Sequence, residues 1–504
     1  MLSTQTHIIR RQNVKVHATT HDAFALKRQI ELLMEDLIPK LASLFDGLVS
    51  EDEWLQINTL DIHVDDLAEH ELEEKLSERI LSSIADKIDE QRCSSSLTAE
   101  DSFIDYKIVK ASQKTIAAFL YFLKNGILPW WYETGSHTAF DESINIALEQ
   151  LGSTIKDPES AQTLINLRSV SNSSEALKRL TEQFTDQVYW KLIKALAVGS
   201  SVHITEIKKV FERLSDLLKS KDPHYSDITN SVLGKIQRQA KTALIMSLSR
   251  GISTDEINEN QVSTVYKLLQ SASFLKIQQQ IRADEMLRKY LLGEQELILI
   301  NNALDTTQDS VSKEFKEENI KKENREVHSQ KDVFLNELKQ ADGAIISNAG
   351  LIIVAPFLPE LFKQCGILKE DTITDINKAV GILHYTVFGN CEYREYDVLL
   401  NKVLCGLEGN EAVDILNELS EAEKNEVEAM LSTAIGHWDV LKSTSPDGLR
   451  EGFLIRKGSL LHKYDDWFLQ VEQSAIDALL QHLPWTFGFI KLPWMKTMIR
   501  TQWV

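Results

Sequence analysis

Near the N-terminus apolar and polar residues alternate. In HIIRRQNVKVHA, Val14, Val16 and Ala18 share one side of an extended chain, the pattern of a half-buried strand. The rhythm changes at Asp22, a residue type that caps helices. In DAFALKRQIELLMEDLIPKLASLFDGL the residues Leu26, Ile30, Leu33, Leu37, Leu41, Leu44 and Leu48 recur at three- to four-residue spacing. Pro39 and Gly47 bend or close that helix. In WLQINTLDIHVDDL alternation returns through Leu60, Ile62 and Val64, predicting a strand that pairs with the first. Residues 1–67 therefore form a strand-helix-strand unit.

Residues 68–136 are helical in pattern. Their last helix stops at Asn125-Gly126, ahead of the apolar corner Ile127-Leu128-Pro129-Trp130-Trp131. From 137 to 303 helical periodicity continues, with Pro158 and Pro223 the only prolines, and SSEALKRLTEQFTDQVYWKLIKALAV is typical of it. Periodicity leaves open a bundle, a set of hairpins or a long rod. Residues 304–339 open with a highly charged run nearly devoid of aliphatics, the composition of a solvated linker or exposed helix.

The block 340–504 has a different texture. GLIIVAPFLPELFKQCGIL places Pro356 and Pro359 at the start of a helix. AVGILHYTVFG and VLLNKVLCGL continue the helical pattern. SEAEKNEVEAMLSTAIGHWDVLK begins on a capping box, Ser420 with Glu423. GFLIRKGSLLHKYDDWFLQVEQ predicts two strands around Lys457-Gly458, a turn at Asp465-Asp466 and a third strand. A short helix, SAIDALLQHL, precedes two final strands in PWTFGFIKLPW and IRTQWV. The fold class is α+β, predominantly α-helical: a small mixed α/β N-terminal unit, a helical middle, and a C-terminal helical domain with a small antiparallel sheet.

Composition narrows the function classes. The chain has 504 residues, 43% hydrophobic and 26% charged, which is globular rather than disordered. A net charge of −20 argues against duplex nucleic acid as a partner. The acid is uneven, however: residues 1–20 and 484–504 each carry three Arg/Lys and no Asp/Glu. Both ends are thus mildly basic on an acidic body. Cys93, Cys365, Cys391 and Cys405 show no metal-binding spacing and fit a reducing cytoplasm. The N-terminus lacks the apolar core of a signal peptide, and no apolar run is long enough to span a membrane. The expected location is the cytoplasm.

Candidate chemistry is sparse. There is no P-loop, GxSxG, HExxH or GxGxxG, and GLEGN lacks the Lys-Ser/Thr that grips phosphate. His384 and His437 lie in helices with no partner His at four-residue spacing. The pairs Asp65-Asp66 and Asp465-Asp466 are neighbours whose side chains diverge. The expectation is a non-enzyme with no cofactor and no metal. Three stretches stand out by shape instead. Pro446-Asp447-Gly448 predicts a tight turn with Gly448 at positive φ, and Arg450 beside it either bonds local carbonyls or reaches a partner. Trp130 and Trp131, and the repeated Leu-Pro-Trp around Pro484, Trp485, Lys491, Pro493 and Trp494, pair a rigid backbone with large apolar plates. They suit core packing at element ends, or docking of another chain.

The ordered set of these stretches resembles the tape-measure proteins of extracellular contractile injection systems, phage-tail-like particles that fire a tube through a contracting sheath. HIIRRQNVKV with the leucine-rich helix and LDIHVDDL, then FLKNGILPWW, then GLIIVAPFLPELFKQCGIL, AVGILHYTVFGN and YDVLLNKVLCGL carry the likeness. AIGHWDVLKSTSPDGLREGFLIRKG and WFLQVEQSAIDALLQHLPWTFGFIKLPW complete it. Together they cover about half the chain, chiefly 7–67, 119–132 and 345–496. The resemblance implies a non-enzymatic assembly role in the tube lumen, setting tube length. Its implied partners are tube, baseplate hub or spike, and cap components. Trp130, Trp131, Pro446, Pro484, Trp485, Pro493 and Trp494, with Asp447, Gly448, Arg450 and Lys491, are the docking candidates. About 200 residues separate the recognisable ends; as one straight helix they would span ~300 Å at ~1.5 Å per residue. The other readings are an assembly chaperone or adaptor, and a cargo carried in the tube.

Overall fold

The computed structural model describes residues 7–94 and 106–197 apart from short stretches within them, isolated positions between 208 and 248, and residues 343–503. The expected charged linker, 304–339, and most of 198–303 lie outside the described residues. The described chain is a predominantly α-helical α+β fold dividing into two compact units, residues 1–115 and 116–504.

In the first unit, Asp22 caps helix α1 (Ala23–Asp46), its side chain accepting from the amides of Phe24 and Ala25. Leu37 and Leu41 pack on Ile84 and Ile88 of α2 (Leu72–Ser94), a small core of four fully buried side chains. Strand β1 (Glu53–Ile57) pairs antiparallel with β2 (Tyr106–Lys110). Of the two strands expected from alternation, the first is not formed among the described residues, and the second is formed only at its start: β1 takes up Trp54–Ile57 of WLQINTLDIHVDDL and pairs with β2 instead of the first. Residues 12–18 belong to no helix or strand, and Val14 and Val16 are half exposed. Residues 59–67 alternate between half-buried and exposed as expected, but Leu60 and Ile62 lie on the helical core rather than beside a strand. Alternation reports one buried side; it does not supply a hydrogen-bonding neighbour.

The second unit begins within α3 (Ala111–Asn125), which ends as expected at Gly126 with φ +71°. Helices α4 (His137–Ser153), α5 (Pro158–Val170), α6 (Ser174–Glu182) and α7 (Asp186–Leu196) enclose a core that includes Phe119, Phe122, Phe140, Ile144, Leu167 and Leu192.

The block from residue 343 starts with β3 (Ala344–Ile346) and a buried 3-10 segment, Ala349–Phe357, which leads into α8 (Leu358–Gln364). A minimal hairpin, β4 (Leu368–Lys369) and β5 (Thr372–Ile373), precedes α9 (Ile376–Phe388) and α10 (Leu399–Leu404). Helix α11 (Glu421–His437) begins on the expected capping box of Ser420 and Glu423. Next comes a short α12 (Pro446–Leu449). Here Ser445 caps the amide of Gly448 and Pro446 takes the first helical position, so Pro-Asp-Gly starts a helix. Gly448 is not among the residues at positive φ, which corrects the expected tight turn.

A further correction follows at once. Gly452–Arg456, expected as a strand, is not one: a π-helical turn, Arg450–Leu454, takes up its first half, and the next strand is β6 (Gly458–Lys463). Short apolar runs are ambiguous between strand and buried helix. Strand β6 forms a hairpin with β7 (Asp466–Val471) through Tyr464 and Asp465, both at positive φ. After a 3-10 segment at Ala475–His482 come β8 (Phe489–Ile490) and β9 (Ile499–Gln502). The five-stranded order is β3-β6-β7-β9-β8, antiparallel at every pairing except the parallel β7–β9.

Candidate functional site: tryptophan staples and a buried ionic lock

The two Leu-Pro-Trp segments perform the same task twice. Each turns its proline outward, Pro484 and Pro493 both being exposed, and lays its tryptophan half-buried on the block. The indole N–H of Trp485 donates to the carbonyl of Ile353 at 2.8 Å, and its ring meets Phe357 edge-on at 5.0 Å. Trp494 donates to the carbonyl of Leu404 at 2.7 Å and lies 5.4 Å from the ring of Phe362. Leu404 is the last residue of α10, so its carbonyl has no acceptor role inside the helix and the indole fills it. Gly406, at φ +81°, sits under the Trp494 backbone, where a Cβ would come within 3.0 Å of its carbonyl oxygen. Lys491, between the two staples, is exposed.

Arg450 takes the local role. It is buried; its guanidinium reaches Asp447 at 2.8 Å, the carboxylate of Glu428 on α11, and the carbonyl of Thr386 on α9 at 3.1 Å. Asp447 is exposed and Pro446 and Gly448 are half-buried. At the other corner Pro129 is buried and its carbonyl accepts from the Tyr132 amide at 3.0 Å. Trp130 and Trp131 are half-buried, with Trp131 edge-on to Tyr132. The structure thus places the docking candidates at two separate places, residues 129–131 and the C-terminal block.

Sequence reasoning missed the most ordered polar cluster. Glu395 is completely buried, and its carboxylate accepts from Arg179 at 2.8 and 2.9 Å, from Lys402 at 2.8 Å and from Gln183 at 3.1 Å. The remaining donors are absorbed by carbonyls: Arg179 reaches Leu123 at 2.7 Å, and Lys402 reaches Gly409 at 2.6 Å. Burial draws the Lys402 ammonium below its ordinary pKa, and the carboxylate opposes that. Gly126 makes room: a Cβ there would stand 2.2 Å from the Glu395 carboxylate. Beside this lock, Arg394 pairs with Asp141 at 2.7 Å and His137 with Asp397 at 2.8 Å. These pairs join α4 and α6 to the C-terminal block, and Arg179 ties α3 to α6.

These ion pairs and hydrogen bonds tie segments of one chain to each other. Among the described residues no three His, Cys, Asp or Glu side chains are grouped to hold a metal. Burial raises the thiol of Cys365 to about 11 and that of Cys405 further, so neither is a ready nucleophile at neutral pH. No helix among the described residues is long and apolar enough to cross a membrane. No curated protein and no solved structure matches the chain. The family model described as contractile injection system tape measure protein matches residues 6–503. Coverage of nearly the whole chain includes both the staples and the lock, and the protein belongs to the contractile injection system tape measure family.

Proposed function

We propose that this chain is a non-enzymatic assembly protein that sets tube length from within the lumen of a contractile injection particle. Its ends engage hub, spike or cap components. The family match over residues 6–503 carries this reading. The polar clusters described above support it too, since each is used up in holding the fold together.

A second reading has an observation of its own. Residues 116–197 and 343–503 belong to one unit and are tied directly through the Arg179–Glu395 pair. That geometry suits a protein that nucleates or chaperones the tube without measuring it.

Tube lengths in micrographs, after helical insertions or deletions between 198 and 303, separate the readings. A straight helical ruler changes tube length by ~1.5 Å per residue. Unchanged tubes, or none, make the chain an initiator or chaperone, and its absence from purified particles would make it a chaperone specifically. If particles of normal length assemble without the chain, it is cargo.

A further inference from the structure

The outer face of the C-terminal sheet takes no part in the staples or the lock. Direct cross-strand partners share a face, so the register places Leu461, Phe468, Arg500 and Phe489 in one row across β6, β7, β9 and β8. Their opposite-face neighbours Leu460, Trp467, Leu469, Ile499 and Ile490 are buried in the core. The outer row ends at Phe489, which is 67% exposed on the edge strand β8. At the tip of the β6–β7 hairpin Tyr464 is 81% exposed. Two large aromatic rings held this far into water on a rigid sheet mark a contact surface.

The charge around the row identifies the partner's chemistry. Lys463 and Lys491 are exposed beside it. Arg500 lies over Phe489 with its charge met by Asp466 at 2.8 Å, which leaves the two lysines against one exposed carboxylate, Asp465 at the hairpin tip, and a net positive rim. This basic rim contrasts with a chain of net charge −20. Two such faces repel each other, so symmetric pairing of two copies is disfavoured. The N-terminal segment of a second copy is no better suited, because residues 1–20 are themselves basic.

We propose that this face docks an acidic protein surface of another particle component, with carboxylates meeting Lys463 and Lys491 around an apolar contact on Phe489 and Tyr464. The proposal rests on the assembly reading above and names the chemistry of one of its partners.

The test uses the full chain, with purified hub–spike assembly and purified cap protein of the same particle as probes. Wild type, Phe489→Asp and the double variant Lys463→Glu/Lys491→Glu are compared, with melting temperatures to establish that each is folded. One probe should bind wild type, about tenfold more weakly after charge reversal and in raised salt, because rim charges act through screened attraction. Phe489→Asp should abolish that binding. Carboxylate-to-lysine changes on the bound probe should restore binding of the charge-reversed chain. Binding that ignores all these changes, or no binding to either probe, would overturn the proposal. So would wild-type self-association that Phe489→Asp removes. None of those results touches the tube-length experiment, so the assembly reading stands or falls separately.

Discussion

At the residue scale, the tryptophans decide between core packing and docking through their N–H groups. An indole that donates to the carbonyl of Leu404 is fixed in place before any partner arrives. Trp494→Phe keeps most of the plate and removes the donor, at a cost of about 1 kcal/mol. Trp494→Ala also empties the contact with Phe362 and should cost about 3 kcal/mol. Thermal denaturation of the full chain reads both, and an unchanged midpoint for Trp494→Ala alongside failed assembly would assign the residue to docking instead. His384 gives a pH dependence. Its ring lies between Phe388 and Tyr393 at 4.7 and 4.6 Å, and burial lowers its pKa to about 4 from an ordinary 6.5. Asp397 opposes that shift and His137 adds to it. The unfolded chain therefore binds the proton more readily. The stabilisation is complete above pH 6.5 and disappears as pH falls toward 4, by at most about 3 kcal/mol. His384→Phe should flatten the melting-temperature profile over that interval relative to wild type.

At the scale of elements, local chemistry was legible where one residue settles the backbone. Asp22, Gly126 and the Ser420–Glu423 box mark their boundaries without help from the fold. The failures occurred where a segment's state depends on a distant neighbour. Val14 and Val16 alternate correctly but meet no ladder, and the run Gly452–Arg456 looks like a strand while Arg450–Leu454 closes a π turn. The reason for that turn lies a hundred residues upstream in Gly350. A Cβ on Gly350 would come within 1.8 Å of the Phe453 carbonyl oxygen, so the 3-10 segment and the π turn touch backbone to backbone. Gly350→Ala should therefore destabilise by more than about 3 kcal/mol, since neither backbone can yield cheaply. Gly436→Ala is the matched control. Nothing lies within 4 Å of a Cβ there, on the exposed side of α11, and alanine should stabilise by about 0.5–1 kcal/mol through helix propensity. Melting temperatures moving in opposite directions would establish that packing, not glycine content, governs this block.

At the scale of the whole molecule, the lock is what the sequence could not reveal. Arg179 and Glu395 are 216 residues apart, and a charge in a helical pattern is ordinarily a solvated one. Here two cations share one carboxylate in complete burial, so the cluster keeps a positive excess that backbone carbonyls, with the charge of Glu411, relieve. Removing the anion should be far worse than removing one cation with it. Glu395→Gln keeps the shape but leaves Arg179 and Lys402 facing each other, and should cost about 3–5 kcal/mol. Adding Lys402→Met removes one of the two uncompensated charges, so the double variant should recover a measurable part of that loss. The coupling has a spatial signature as well. Arg179 and Gln183 come from α6 while Glu395 and Lys402 come from the C-terminal block, so the two segments form one cooperative body. Hydrogen exchange in Glu395→Gln should rise in 116–197 and 343–503 together. A rise confined to one segment would mean that they fold independently and that the lock joins them without making them one.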